Sequence, residues 1–228
     1  MSKLAIIIGS TRPNRAADKV TPWVVDRATG HGTFDVEVLD LRDWPLPIFQ
    51  EHAGTIGDFN DPTYSDPIVR AWNHKVKAAD AFLIVTAEYL HSIPGGLKNA
   101  LDSVFVSWGM RNKPVASVAY STGVAAGVRA IEHLATIVIE SEAVPLRNTV
   151  LIPFVGEAFN EGGKPKDANT EFAMTVLLED LSWWSALLEK GRADGELAPG
   201  TVRRMAAARK AAAAAGASSA GGGQPARQ

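Results

Sequence analysis

The chain has 228 residues, 46% of them hydrophobic and 21% charged, with 23 Lys and Arg against 25 Asp and Glu and no cysteine. That is enough apolar side chain for one soluble domain with a sizeable core. The missing thiols exclude disulfides, a thiolate nucleophile, cysteine-ligated zinc, iron–sulfur clusters and dithiol redox chemistry, so electron transfer would need an organic cofactor or a metal on oxygen and nitrogen ligands.

The first apolar run, 4–8, follows the N-terminus almost directly, with no cationic region or cleavage site, and no signal peptide is expected. This run is strand length, as are 36–39, 81–86, 115–119 and 149–152. None approaches the roughly 20 residues of a membrane span, so no membrane association is expected and the cytoplasm is the expected location. Between the strands, apolar residues at helical spacing predict helices at 14–29, 68–79, 96–105 and 126–140, followed by 169–190. Pro22 falls inside the first and is expected to kink or split it. The third is the most regular, with Leu97, Ala100, Leu101, Val104 and Phe105 on one face and Lys98, Asn99 and Asp102 on the other.

Strands 4–8 and 81–86 are apolar throughout, which implies that both faces are covered, as in a parallel sheet flanked by helices. Strands alternating with helices make this an α/β fold. The expected form is a flavodoxin-like three-layer sandwich, a five-stranded parallel sheet in the order 2-1-3-4-5 with helices on both faces. The body is expected to span 1–192. Within 191–200, three glycines and Pro199 read as a linker, and 193–228 as an Ala-rich basic tail, partly helical or disordered. The tail either docks on a partner subunit or frays, and its last dozen residues read as disordered. From Arg203 onward there are five basic residues and no acidic one, leaving 18 basic against 25 acidic, a net −7, before it. A body of that sign is a poor partner for nucleic acid, and none is expected. The five histidines (His31, His52, His74, His91 and His133) lack metal-binding spacing, so no metal is expected.

In an open α/β sheet, ligands bind beyond the carboxyl ends of the strands, which directs attention to three loops. The first, Gly9, Ser10, Thr11, Arg12, Pro13, Asn14 and Arg15, offers hydroxyls, guanidinium groups and the N–H groups of a helix start, all suited to a phosphate. It is neither a Walker loop nor a dinucleotide fingerprint. The alternative is a helix cap with two surface arginines. The second runs from Ala87 through Glu88, Tyr89, Leu90 and His91 to Ser92, Ile93, Pro94, Gly95 and Gly96. Its glycines let a flat ligand approach the backbone, unless they only start the helix. The third, Tyr120, Ser121, Thr122 and Gly123 onward, supplies small residues beside the same crevice.

The run from Glu88-Tyr89 through Ser92, Pro94 and Gly95 to Leu97-Lys98-Asn99-Ala100-Leu101-Asp102 is close to P-E-Y-N-x-S-x-P-G-x-L-K-N-A-I-D. With GSTRPNR before it, the chain resembles the NADPH-dependent FMN reductase family, flavodoxin-like proteins that include quinone, azo and chromate reductases. The resemblance covers about residues 3–155. It implies that Ser10, Arg12 and Arg15 hold the FMN phosphate, helped by backbone from Thr11 to Asn14. It further implies that Ala87, Glu88, Tyr89, Leu90 and His91 border the isoalloxazine, with Ser121, Thr122 and Gly123 at its other edge. The implied activity is ping-pong hydride transfer from NADPH or NADH through FMN N5 to a quinone, azo, flavin or metal-ion acceptor. The chemistry belongs to FMN, with possible help from Tyr89 and His91, although a lone loop histidine is also simply solvated. The implied assembly is a homodimer or homotetramer. Ala87 stands where the family has Pro and Leu90 where it has Asn, so flavin affinity or potential is expected to differ. A flavodoxin-type electron carrier and a non-catalytic module are the competing readings.

Overall fold

Along β1 (Ser2–Ile8) the side chains alternate between two cores, Leu4, Ile6 and Ile8 facing one and Ala5 and Ile7 the other. The computed structural model, which describes residues 1–52, 54–58 and 61–220, continues this division through the sheet. In β5 (Ala81–Ala87), Leu83, Val85 and Ala87 join the first core and Phe82 and Ile84 the second. The helices α1 (Ala17–Gly30) and α5 (Ala168–Gly195) cover the first face. On the second lie α2 (Pro67–Ala78), α3 (Gly95–Phe105) and α4 (Val128–Glu140).

All pairings in the main sheet are parallel. β2 (Phe34–Asp40) lies on β1, β1 on β5, and β5 on β6 (Pro114–Tyr120), the flavodoxin-like order. The expected fifth strand, 149–152, is present as a short strand at the end of β6, and a further two-residue strand that was not expected lies at the start of β6. β7 (Val144–Pro145) pairs with the start of β6 and β8 (Val150–Ile152) with its end. Pro145 is tolerated because the N–H groups that donate to β6 and the residue before it are those of Val144 and Leu146 on either side (both 2.9 Å), and the chain leaves the sheet between the two strands. A small antiparallel pair, β3 (Gly57–Asp58) with β4 (Asp61–Pro62), lies in the long β2–α2 connection and had no signature in the sequence.

Three expectations about helices are corrected. α1 runs unbroken across Pro22, and it starts at Ala17 because Asn14 takes left-handed backbone, φ +52°, which a helix cannot contain. The expected linker is shorter, since α5 continues to Gly195 and α6 (Gly200–Ala220) follows four residues later. α6 also takes in residues expected to be disordered, while 221–228, the rest of that expectation, lies outside the described residues. The chain divides into two compact units, Met1–Ala193 and Asp194–Gln228. No helix among the described residues is long and apolar enough to cross a membrane.

Two clamps fix the connection after β2 beside α3. Asn99 donates through Nδ2 to the Pro47 carbonyl (2.8 Å) and accepts from the Phe49 N–H (2.9 Å). Trp44 meets the buried Trp72 edge-on at 5.3 Å, and Trp72 Nε1 donates to the Ala100 carbonyl.

Candidate flavin site

The three loops emerge side by side because β1, β5 and β6 are neighbours in the sheet. The β1 loop begins at Gly9, whose N–H continues the ladder to the Val85 carbonyl (2.9 Å). A Cβ on Gly9 would lie 2.8 Å from Leu97 Cδ2 and 3.3 Å from its Cβ, so a larger residue here would have to displace the Leu97 side chain of α3. Ser10 follows with no exposed surface, and its Oγ lies 2.7 Å from Tyr89 Oη. Thr11, Arg12 and Asn14 are exposed. The Arg12 guanidinium lies over the Tyr89 ring, 3.6 Å from its centroid.

Arg15 points elsewhere. Its side chain is 4% exposed and forms a two-pronged ion pair with Asp40 at the end of β2, while Nε donates to Asp18 and Nη1 to the Ser10 carbonyl. Arg42 completes the network, donating to Asp18 (3.1 Å) and to the Arg12 carbonyl. The hydrogen bonds that Arg15 donates to Asp40 hold its guanidinium above the ordinary basicity, against the opposing effect of burial. Burial alone pushes the Asp40 carboxyl up. The hydrogen bonds from Arg15 and the Arg42 N–H, with both positive charges, hold it below the usual carboxylate range. Arg15 is therefore spent on shaping the loop, whereas Arg12 stays exposed.

The β5 loop is a tight turn. Tyr89 and Ser92 exchange backbone hydrogen bonds (2.8 and 3.0 Å), and the central residues, Leu90 and His91, both take positive φ, +50° and +62°. That is the primed hairpin turn, which favours Asn and Gly and costs a branched apolar residue about 1 kcal/mol. The family's Asn fits such backbone, and Leu90 meets it at a disadvantage. Leu90 is fully exposed and His91 also faces solvent. Ala87, named with the ring-bordering residues, turns its side chain into the first core, leaving only backbone to the site. Glu88 has a side chain 4% exposed. Its Oε1 accepts two hydrogen bonds from Arg129 of α4, and its Oε2 is buried without a partner.

In the β6 loop, the Ser121 N–H donates to the Ile152 carbonyl (3.2 Å) and its Oγ to the Gly123 carbonyl (2.9 Å), while Thr122 and Gly123 are exposed. Gly127, φ +91°, closes this loop where a Cβ would come within 2.6 Å of Ala119. Around the crevice stand exposed apolar side chains, Leu90, Val124 and Phe154. Burial pushes the Tyr120 hydroxyl well above its usual range, so it stays a neutral phenol. A cavity of about 360 Å³ opens beside the first loop, lined by Thr11, Arg42, Trp44, Leu46, Gly96 and Asn99. It touches none of the residues expected at the ring, where Leu90, His91, Thr122 and Gly123 are exposed. Among the described residues no three His, Asp or Glu side chains could share a metal ion.

The model of the NADPH-dependent FMN reductase family matches residues 2–157. The chain belongs to that family. Membership places it among the oxidoreductases that use FMN and NAD(P)H, on the flavodoxin-like sheet described above. An NAD(P)H-dependent FMN reductase of Schizosaccharomyces pombe is 35% identical over 118 residues, 52% of this chain and 57% of that protein. One from a Nectria species is 29% identical over 203 residues, 79% of this chain and 92% of that protein. The solved structure of FerB, a flavoenzyme NAD(P)H:(acceptor) oxidoreductase from Paracoccus denitrificans, has the same fold, with a TM-score of 0.64 and 22% identity over 82% of this chain and 98% of its own.

Two groups of functional residues were missed from sequence. Asp18, Asp40 and Arg42 come from three places in the chain, and only the position of Asp40 at a strand's carboxyl end hinted at a role. Arg129 lies 41 residues from Glu88 with no motif to join them, and His133, whose Nδ1 is 2.9 Å from Ser92 Oγ, lies 41 residues from Ser92.

Proposed function

We propose that the crevice at the ends of β1, β5 and β6 binds FMN and that the protein passes electrons from NAD(P)H through it to a small planar acceptor, a quinone first among azo, flavin and metal-ion candidates. The observation that carries the reading is the pairing of a pre-formed anion cradle with a ring end that has one buried, unpartnered acceptor, Glu88 Oε2. A buried carboxylate oxygen without a donor is costly, and it fits a ligand that brings an N–H. A Cβ on Gly95 or Gly123 would meet no protein atom, so the space above both is open to a flat group.

In this reading Ser10 Oγ, the Arg12 guanidinium and backbone N–H groups of the loop between Thr11 and Asn14 hold the phosphate dianion. Arg15, Asp40, Asp18 and Arg42 keep that loop in shape. Glu88 orients the ring through its free oxygen, and the backbone from Ser121 to Gly123 borders the opposite edge. FMN, when bound, supplies the hydride chemistry, accepting at N5 from NAD(P)H and delivering to the acceptor. The open ring end leaves one face for both substrates, which must then alternate in a ping-pong order. Leu90, Val124 and Phe154 give that face an apolar rim suited to a nicotinamide or a quinone, and His91 at the turn tip is the side chain placed to carry a proton from solvent. Tyr89 has no such role, because its hydroxyl is engaged by Ser10. A second copy of the chain covering this rim, in a homodimer or homotetramer, belongs to the same proposal.

Steady-state NADPH oxidation with a quinone, on protein of measured flavin content, tests the reading. Turnover should require FMN, and double-reciprocal plots should be parallel. NADPH oxidation that is independent of FMN, or absent with it, would overturn it.

A further inference from the structure

Tyr89 sits in the sequence run that borders the flavin ring, yet each polar contact the structure gives its side chain is made at the other end of the crevice. Its hydroxyl meets the fully buried Ser10 Oγ at 2.7 Å. One face of its ring carries the Arg12 guanidinium at 3.6 Å, and its apolar edge packs against the core that includes Ile8 and Ala87. Ser10 and Arg12 are the two side chains of the first loop that Tyr89 engages, while Arg15 is committed to Asp40.

We infer that Tyr89 is a positioning residue for the phosphate and sets the preference of the site for FMN over flavin that lacks a phosphate. The inference rests on the FMN reading above and adds a role that the reading does not need. A hydroxyl has one proton to give. When Tyr89 Oη donates to Ser10 Oγ, the Ser10 proton is turned toward the loop's open side, and the chain Tyr–Ser–phosphate polarises in one direction. The tyrosine face holds the guanidinium plane flat and limits its rotation, so less side-chain freedom is lost when Arg12 pairs with a phosphate. That same face, covered by Arg12, is not a stacking platform for the isoalloxazine. Tyr89 thus spans two loops 79 residues apart in sequence and ties ring-end backbone to phosphate-end chemistry.

The test is flavin titration of the full chain with FMN and with riboflavin, for the wild type, Tyr89→Phe and Tyr89→Leu. Tyr89→Phe keeps the seat for Arg12 and loses the Ser10 link, and should weaken FMN about fivefold. Tyr89→Leu loses both and should weaken it about thirtyfold or more. Riboflavin affinity should stay within about twofold in each, which also shows that the variants remain folded. Adding Ser10→Ala to Tyr89→Phe should cost little beyond the single change, because the two share one link. FMN and riboflavin weakening in parallel would place Tyr89 at the ring and overturn the inference, as would unchanged FMN affinity in Tyr89→Phe. A wild type that binds neither flavin would overturn the FMN reading itself, a result distinct from both. If Tyr89→Leu fails to fold, the Tyr89→Phe comparison still decides.

Discussion

The two ends of the crevice are built on opposite principles. At the phosphate end, Arg15 is 4% exposed between Asp40 and Asp18, Ser10 is fully buried, and Arg42 pins the Arg12 carbonyl. At the ring end, Leu90 and His91 are held in left-handed backbone at an exposed tip, beside exposed Val124 and Phe154. An anion gains most from donors that need no rearrangement, so a rigid cradle suits the part of a cofactor that stays put. A surface that must admit a nicotinamide and then an acceptor cannot be closed over. On the proposed reading, anchoring and exchange are thus separated along one crevice.

The largest expected effect breaks the rigid end. Arg15→Met strands the Asp40 carboxylate, 22% exposed, without its partner, and should cost about 3 kcal/mol of stability in chemical denaturation. The sign of its pH dependence follows from Asp40. A carboxyl held below its usual range contributes stability that is complete above about pH 4 and is lost as pH falls through the lowered value. The gap between wild type and Arg15→Met should therefore be full at neutral pH and shrink in acid below about pH 4. A gap that widens in acid would contradict the assignment. Arg12→Ala acts at the same end by a different route. It should leave stability within about 0.5 kcal/mol and weaken FMN about tenfold to a hundredfold, with riboflavin unaffected. If Arg15→Met and Arg12→Ala give the same pattern in stability and in FMN titration, the division of labour between the two arginines is wrong.

At the open end the expected effect is smaller and of opposite sign. Leu90→Asn should stabilise the apo protein by about 1 kcal/mol in thermal unfolding, because Asn tolerates positive φ and no buried contact is lost. A loss of stability would show that Leu90 makes a contribution its exposure does not reveal.

How legible each end was in the sequence follows from the same contrast. The parallel sheet was readable because continuous apolar runs and strand–helix alternation are local signals, and the runs at 4–8 and 81–86 carry the first in full. The two-residue strand Val144–Pro145 was not, since it is held by pairing with β6 rather than by its own pattern. The loop GSTRPNR announces an anion cradle, but nothing in it says that Arg15 turns inward. That depends on Asp40, brought alongside only by the β1–β2 pairing. The turn at Tyr89–Ser92 was likewise hidden, because Leu90 is a poor residue for the backbone it adopts. The link from Glu88 to Arg129 exists only once α4 has packed.

The most direct test of the account is a pair of half-reactions on FMN-loaded protein without oxygen. NADPH should bleach the yellow absorbance of the bound flavin, and a quinone added afterwards should restore it with no further NADPH. Protein that takes up no FMN, or that stays yellow in excess NADPH, would contradict the claim that this crevice carries electrons between the two.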